Sequence, residues 1–135
     1  MPKKKVTAEK ISLTTHERAI LCAELASDKK AFDIRILEIS RISSIADYLV
    51  IASGGSDRQV QAIADSVRAG LKKYGKVNDI EGESEGKWIV MDYGDILVHI
   101  FHEPVRRYYD LDGLWHMAPE VELPASIRNQ QTESE

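Results

Sequence analysis

The sequence predicts an α/β domain of the α+β kind, a single mixed β-sheet of about five strands with helices packed on it. Three observations carry that expectation. Apolar residues recur at helical spacing in two segments, Ala19 to Ala26 and Val60 to Leu71. Short runs rich in branched residues alternate with them, and one, Tyr48 to Ser53, is apolar on both faces, as a centrally placed strand is. Two alternating runs, Lys87 to Asp92 and Asp95 to Phe101, are separated only by Tyr93-Gly94, which reads as a tight hairpin turn.

The elements follow in order. Thr14 and Glu17 stand at capping-box spacing, and Ala19, Ile20, Ala23 and Ala26 recur on one face behind them, so a helix is expected over 15–29. Phe32 to Ile39 reads as a strand and Tyr48 to Ser53 as a second, closed by Gly54-Gly55. Ser56 and Gln59 repeat the capping-box spacing before a stripe of Val60, Ile63, Ala64, Val67 and Leu71. Lys72 and Lys73 complement the dipole at that helix's end, and Gly75 is expected in the left-handed conformation that stops it. Asn78 to Glu81 is a short edge strand before the polar loop GESEG and the hairpin. Past Pro104 come short helical turns through Tyr109 and Leu114.

Length and composition set the boundaries. A chain of 135 residues makes one domain, with a flexible basic tail expected over 1–13, the folded part over 14–119 and a flexible tail over 120–135. With 43% hydrophobic and 30% charged residues and no long apolar run, the chain reads as a soluble protein that does not enter a membrane. The single Cys22 excludes an internal disulfide and, on a helical stripe, is expected to be a buried, inert thiol in a reducing compartment. The start, MPKKKVTAEK, lacks the apolar segment of a secretory signal.

Charge is unevenly distributed. Residues 1–76 hold 14 of the 18 Lys and Arg and 9 of the 22 Asp and Glu, whereas residues 77–135 hold 4 and 13. The acidic half also holds both tryptophans and three of the five tyrosines, Tyr93, Tyr108 and Tyr109, all within the stretch from Lys87 to Trp115. Negative charge repels phosphate backbones and attracts basic proteins, so this half is expected to meet a cationic protein rather than nucleic acid.

The hairpin divides its own residues. With Tyr93-Gly94 as the turn, Asp92 pairs with Asp95, Val90 with Leu97 and Trp88 with His99. One face then carries Ile89, Met91, Ile96, Val98 and Ile100 and belongs to the core. The other carries Trp88, Val90, Asp92, Asp95, Leu97, His99 and Phe101, and is expected to be accessible or to meet a partner.

Chemistry is weakly signalled. Gly54-Gly55-Ser56 lies between a strand and a helix, where backbone N–H groups can cradle a phosphate, but neither GxxxxGK[ST] nor GxGxxG is present. His99 and His102 of one strand point to opposite faces, so with Glu103 they make no metal cluster. No Ser stands in a GxSxG elbow, and Asp92 and Asp95 beside an open turn would stay ionised. No catalytic residue, cofactor or metal is therefore expected.

Three segments in order, ADYLVIASGGSDRQVQAIADSV (46–67), EGESEGKWIVMDYGDILVHIF (81–101) and YYDLDGLW (108–115), resemble the ribosomal silencing factors, also called Iojap-like proteins. The likeness spans residues 14–119. It implies a sheet of nucleotidyltransferase-like topology without an active site, in a non-enzymatic factor. Such a factor binds the large ribosomal subunit through its ribosomal protein fourteen and blocks joining of the small subunit, damping translation in the bacterial cytoplasm or an organelle. Homodimers occur among its members. The motif residues carried over as the contact or supporting set are Trp88, Asp92, Tyr93, Asp95, His99, Tyr108, Tyr109, Leu111 and Trp115. Gly113 departs from what a helix before Trp115 would favour. Two other readings stay open: a nucleotidyltransferase-like enzyme using Gly55-Ser56 with Asp92 and Asp95, and an interaction module for another basic protein.

Overall fold

The computed structural model describes residues 12–127. Along the chain, α1 (Thr15–Asp28) leads into β1 (Phe32–Glu38) and β2 (Tyr48–Gly54), followed by α2 (Asp57–Leu71) and a 3₁₀ turn over Lys72–Tyr74. Then come β3 (Asp79–Glu81), β4 (Trp88–Asp92), β5 (Ile96–His102), α3 (Glu103–Tyr109), α4 (Leu111–Leu114) and β6 (Glu120–Val121). The six strands form one mixed sheet in the order β3-β4-β5-β2-β1-β6. Only the central β2–β5 pair is parallel, with α2 and the β3–β4 ribbon in the crossover between them.

Local signals explain the helices. At the start of α1 the Thr14 hydroxyl accepts from the Glu17 N–H at 3.0 Å while the Glu17 carboxylate accepts from the Thr14 N–H at 2.9 Å, so the capping box closes in both directions. The second box is only half formed. Ser56 Oγ accepts from Gln59 N–H, but the Gln59 carboxamide is drawn away, accepting from Gly55 N–H and donating to the carbonyls of Lys29 and Lys30. It thereby ties the α1–β1 turn to the start of α2. The α2 ladder ends differently from the expectation as well: a 3₁₀ turn intervenes, and Gly75 follows it at φ 148°, ψ 140°, outside the compact left-handed helical cap.

Both helices lie on one face of the sheet, over Ile34, Ile36, Val50, Ala52, Ile89, Met91, Val98 and Ile100. The helical stripe Val60, Ile63, Ala64, Val67 and Leu71 is buried there, together with Ala19, Cys22, Ala23 and Ala26. Burial pushes the Cys22 thiol up to about 12, so it stays protonated and inert. On the opposite face a smaller cluster of Leu37, Ile39, Ala46, Leu49, Ile51 and Phe101 is roofed by Leu111, Trp115 and Val105.

Two boundaries fall elsewhere than expected. The sheet has a sixth strand because Glu120–Val121 pairs with Ile36 and Leu37 of β1, and Leu123 and Ile127 are buried in the helix-side core. The packed chain therefore continues past residue 119 into the expected C-terminal tail. Residues 1–11 and 128–135 of the expected tails lie outside the described part.

The hairpin turn is also displaced by one residue. Asp92 pairs with Leu97, Val90 with His99 and Trp88 with Phe101, and Tyr93 N–H donates to the Ile96 carbonyl at 2.9 Å. Gly94 and Asp95 are thus the two central residues. Gly94 has φ 91°, which a hairpin requires at its first central position and which glycine adopts without strain. The shift leaves the division of the strand residues intact, but it returns Tyr93 to the ladder on the core side and takes Asp95 out of the mixed face, turning it toward α1.

Candidate functional site

The sheet face turned away from α1 and α2 is only partly roofed, and its open part lies over β3, β4 and β5. Trp88, Val90, Asp92, Leu97 and His99 are all half-buried there, whereas Phe101 is fully buried. The expectation of an accessible face therefore fails at Phe101. The Trp88 ring stacks on it with centroids 4.8 Å apart and planes at 25°.

Trp88 Nε1–H donates to His99 Nδ1 at 3.0 Å. An indole nitrogen is a donor only, so Nδ1 must be unprotonated and the neutral imidazole carries its hydrogen on Nε2. Burial holds His99 down at about 4, which keeps it neutral at physiological pH. A fixed indole and a fixed tautomer make this pair a rigid part of the surface.

The aromatic edge continues onto α3. Pro104 in the first turn starts that helix directly after β5, and Asp110 at φ 52°, ψ 51° ends it. The same Asp110 caps α4, its carboxylate accepting from Gly113 N–H at 3.1 Å. A Cβ at Gly113 would stand 2.3 Å from Asp110 Oδ2, so the poor helix former is what allows the cap to sit so close. Because the chain reverses at Asp110, Leu111 and Trp115 fold back over the second cluster, while Tyr108 and Tyr109 remain 80% and 56% exposed. The Tyr109 ring lies 5.0 Å from Trp88 and meets Tyr108 edge-on at 4.9 Å.

The predicted residues thus divide by position. Trp88, Asp92, His99, Tyr108 and Tyr109 share the open surface, Leu111 and Trp115 support it, and Tyr93 and Asp95 point to the helix side. Tyr93 is buried, with its hydroxyl lacking a partner among the described residues and pushed up to about 12 by burial. Asp95 pairs with Arg18 and accepts from Thr15 Oγ1 at 3.0 Å, fastening the hairpin turn to the first turns of α1.

Several surface residues were not anticipated. Asp79 pairs with Asp92, and Glu81 with Val90, across β3 and β4. Directly paired residues share a face, so Asp79 and Glu81 add two exposed carboxylates beside Asp92 on the aromatic side. Leu114 and Met117 are 71% and 74% exposed after the chain reversal. Ile42 and Ile45 are also exposed, on the turn whose flanking Ile39 and Ala46 belong to the second cluster. Isoleucines spaced through the polar run ISRISSI were the available signal for these two. Nothing local foretold the register of β3.

The enzyme constellation is not assembled. Ser56 follows the C-terminal end of β2, whose Gly54 pairs with His102, whereas Asp95 precedes Ile96, which pairs with Tyr48 at the other end. The seven residues of β5 separate them, roughly 20 Å at strand spacing. His102 is committed to Asp57, with Nδ1 and Oδ1 2.9 Å apart. Among the described residues no three His, Cys, Asp or Glu side chains are grouped to hold a metal ion.

Beneath α3 lies an ion-pair network. Arg106 is buried, donating to Asp112 at 3.0 and 2.8 Å, to Ser53 Oγ at 2.8 Å and to the Asp33 carbonyl at 2.6 Å. That carbonyl is presented by an irregularity in β1, where Asp33 has φ 50°. Arg35 reaches the same Asp112 at 2.9 Å, and also Glu120. The network fixes α3 and α4, and with them the aromatic edge, to the sheet.

Comparison with known proteins gives consistent results. Residues 12–135 match the profile of the family described as ribosomal silencing factor during starvation. A ribosomal silencing factor from Bacillus subtilis is 42% identical over 104 residues, covering 76% of this chain and 88% of its own. One from Halalkalibacterium halodurans is 38% identical over 116 residues, 85% of this chain and 99% of its own. A crystal structure of a Chromobacterium violaceum protein superimposes with a TM-score of 0.75 at 37% identity, covering 77% of this chain and 88% of the other.

Proposed function

The chain belongs to the family of ribosomal silencing factors, and from that premise we propose that it binds the large ribosomal subunit through its ribosomal protein fourteen and blocks joining of the small subunit. The observation that carries the proposal is one sheet face on which Asp79, Glu81 and Asp92 stand beside Trp88, Val90 and His99, with Tyr108 and Tyr109 at the rim. Carboxylates raise the encounter rate with a basic protein, and desolvated aromatic rings supply lasting affinity. Inhibition is steric and needs no chemical step. The factor works wherever its ribosomes are, in a bacterium the cytoplasm.

Sedimentation with purified large subunits, and light scattering of subunit joining, test this reading. The wild-type chain co-sediments with the large subunit and lowers joining; Tyr108→Ala and Asp79→Lys weaken both while their melting curves stay close to wild type. Absence of binding at moderate salt would overturn the function, and undiminished affinity of both variants would overturn the choice of face.

A further inference from the structure

A second charged surface lies at the end of α2, on the helix side of the sheet. Lys72, Lys73 and Lys76 are exposed, and among the described residues none of them has a carboxylate within ion-pair distance. Lys72 borders two grooves. One, of about 530 Å³, is lined by Asp65, Arg68, Lys72, Gly75 and Lys76. The other, of about 760 Å³, is lined by Leu21, Gly70, Lys72, Lys73 and Tyr74.

Two carboxylates oppose this charge, Asp65 in the first groove and Glu83, which sits 3.4 Å from Arg68. Four cations against two carboxylates leave the corner positive, on a chain of net charge −4. The helix dipole accounts for Lys72, next to the last turn, but not for Lys76, which follows Gly75 and lies outside the helix. Gly75, at φ 148°, turns the chain so that Lys76 flanks the same groove as Lys72, and a Cβ there would meet nothing within 4 Å. Three exposed ammonium groups without a carboxylate partner among the described residues, one of them 5.6 Å from the Tyr74 ring centroid, stand around open grooves and match the spacing-tolerant recognition of successive phosphates.

We infer that this corner binds the phosphate backbone of ribosomal RNA, so that the chain is held by RNA at Lys72, Lys73 and Lys76 and by protein at its acidic aromatic face. The inference rests on the ribosome-binding reading above, because the RNA is that which borders the protein partner on the large subunit. Lys76 leads to Asn78, whose N–H donates to the Asp92 carbonyl at 2.7 Å, so the basic corner adjoins the hairpin-turn end of the acidic face. Both surfaces can therefore be engaged from neighbouring sides.

The test uses the full chain and the triple variant Lys72→Gln, Lys73→Gln, Lys76→Gln, measured against large subunits and against isolated ribosomal protein fourteen from about 50 to 200 mM salt. The variant is expected to bind subunits at least about tenfold more weakly at the lowest salt, with the slope of log affinity against log salt reduced by about 2 to 3. Its affinity for the isolated protein stays at the wild-type value. Equal affinity and slope on subunits overturn the inference, as does an equal loss on the isolated protein, which would move the lysines into the protein contact. Failure of the wild-type chain to bind subunits overturns the ribosome-binding reading instead. In that event a short RNA duplex at low salt decides the lysines' role: retention by wild type and not by the variant supports it, and no difference refutes it.

Discussion

Replacing Arg106 by methionine should be costly on the sheet face opposite α1 and α2, and its cost should depend on acidity. The guanidinium is 9% exposed and holds Asp112, Ser53 and the Asp33 carbonyl together. Methionine keeps most of the apolar stem but leaves the part-buried Asp33 carbonyl and the buried Ser53 hydroxyl without their donor and Asp112 with Arg35 alone. Stranding such groups costs about 1–3 kcal/mol each, less where solvent reaches them, so the expected loss near neutral pH is about 3 kcal/mol. Acidity then enters through Asp112, which Arg106 foremost holds down at about 2 against an ordinary 3.8. A carboxyl held low in the folded chain adds stability that is complete above its unfolded value and disappears as pH falls through the folded one. The window is therefore about pH 4 down to 2. At about 1.4 kcal/mol per unit the full linkage is about 2 kcal/mol, and with the carboxylate 24% exposed and Arg35 still beside it, the share lost with Arg106 is about 1 kcal/mol. Urea unfolding of wild type and variant at pH 7, 5, 3 and 2 should show the gap between them narrowing by that amount below pH 4. A gap that stays constant to pH 2 would refute the role given to the Arg106–Asp112 pair.

Other outcomes follow from the same geometry. His99, held low at about 4, binds a proton more readily when unfolded, so stability should fall as pH drops from about 6.5 to 4, and His99→Phe should remove that slope; NMR titration showing His99 protonated at pH 6 would contradict it. Trp88→Phe keeps a ring on Phe101 but removes the donor to His99, and should raise the histidine's titration midpoint in the same NMR experiment. Thr14→Ala should cost about 1 kcal/mol by urea unfolding through loss of the α1 cap, without altering affinity for large subunits.

What could be read from the chain beforehand was whatever is encoded locally. The Thr14 and Glu17 pair announced the start of α1, and the stripe from Val60 to Leu71 announced both α2 and the side it buries, because cap and stripe each involve residues within a few positions of one another. The hairpin faces were legible for the same reason, while the turn was misplaced by one residue because Tyr93-Gly94 and Gly94-Asp95 both satisfy a turn's preferences; the positive φ of Gly94 decides between them. Strand β6 was not legible. Two residues carry no period, and their pairing with Ile36 and Leu37 spans more than eighty positions. Arg106 was missed because an arginine on a short helix reads as solvated, and its partners Asp33, Ser53 and Asp112 converge only in three dimensions. Of the candidate surface, the aromatic residues were visible, but the carboxylates of Asp79 and Glu81 joined them only through strand register.

The pairing of β6 with β1 also orders events in time. Strand β1 is made more than eighty residues before its outer neighbour, so during synthesis the nascent chain exposes the outer N–H and C=O groups of β1 until β6 emerges. During that interval the strand is open to addition by another chain. Pairing of β6 is thus a late step of sheet formation, and a chain cut before Glu120 should appear first as aggregation during synthesis rather than as a lowered melting temperature of the finished protein.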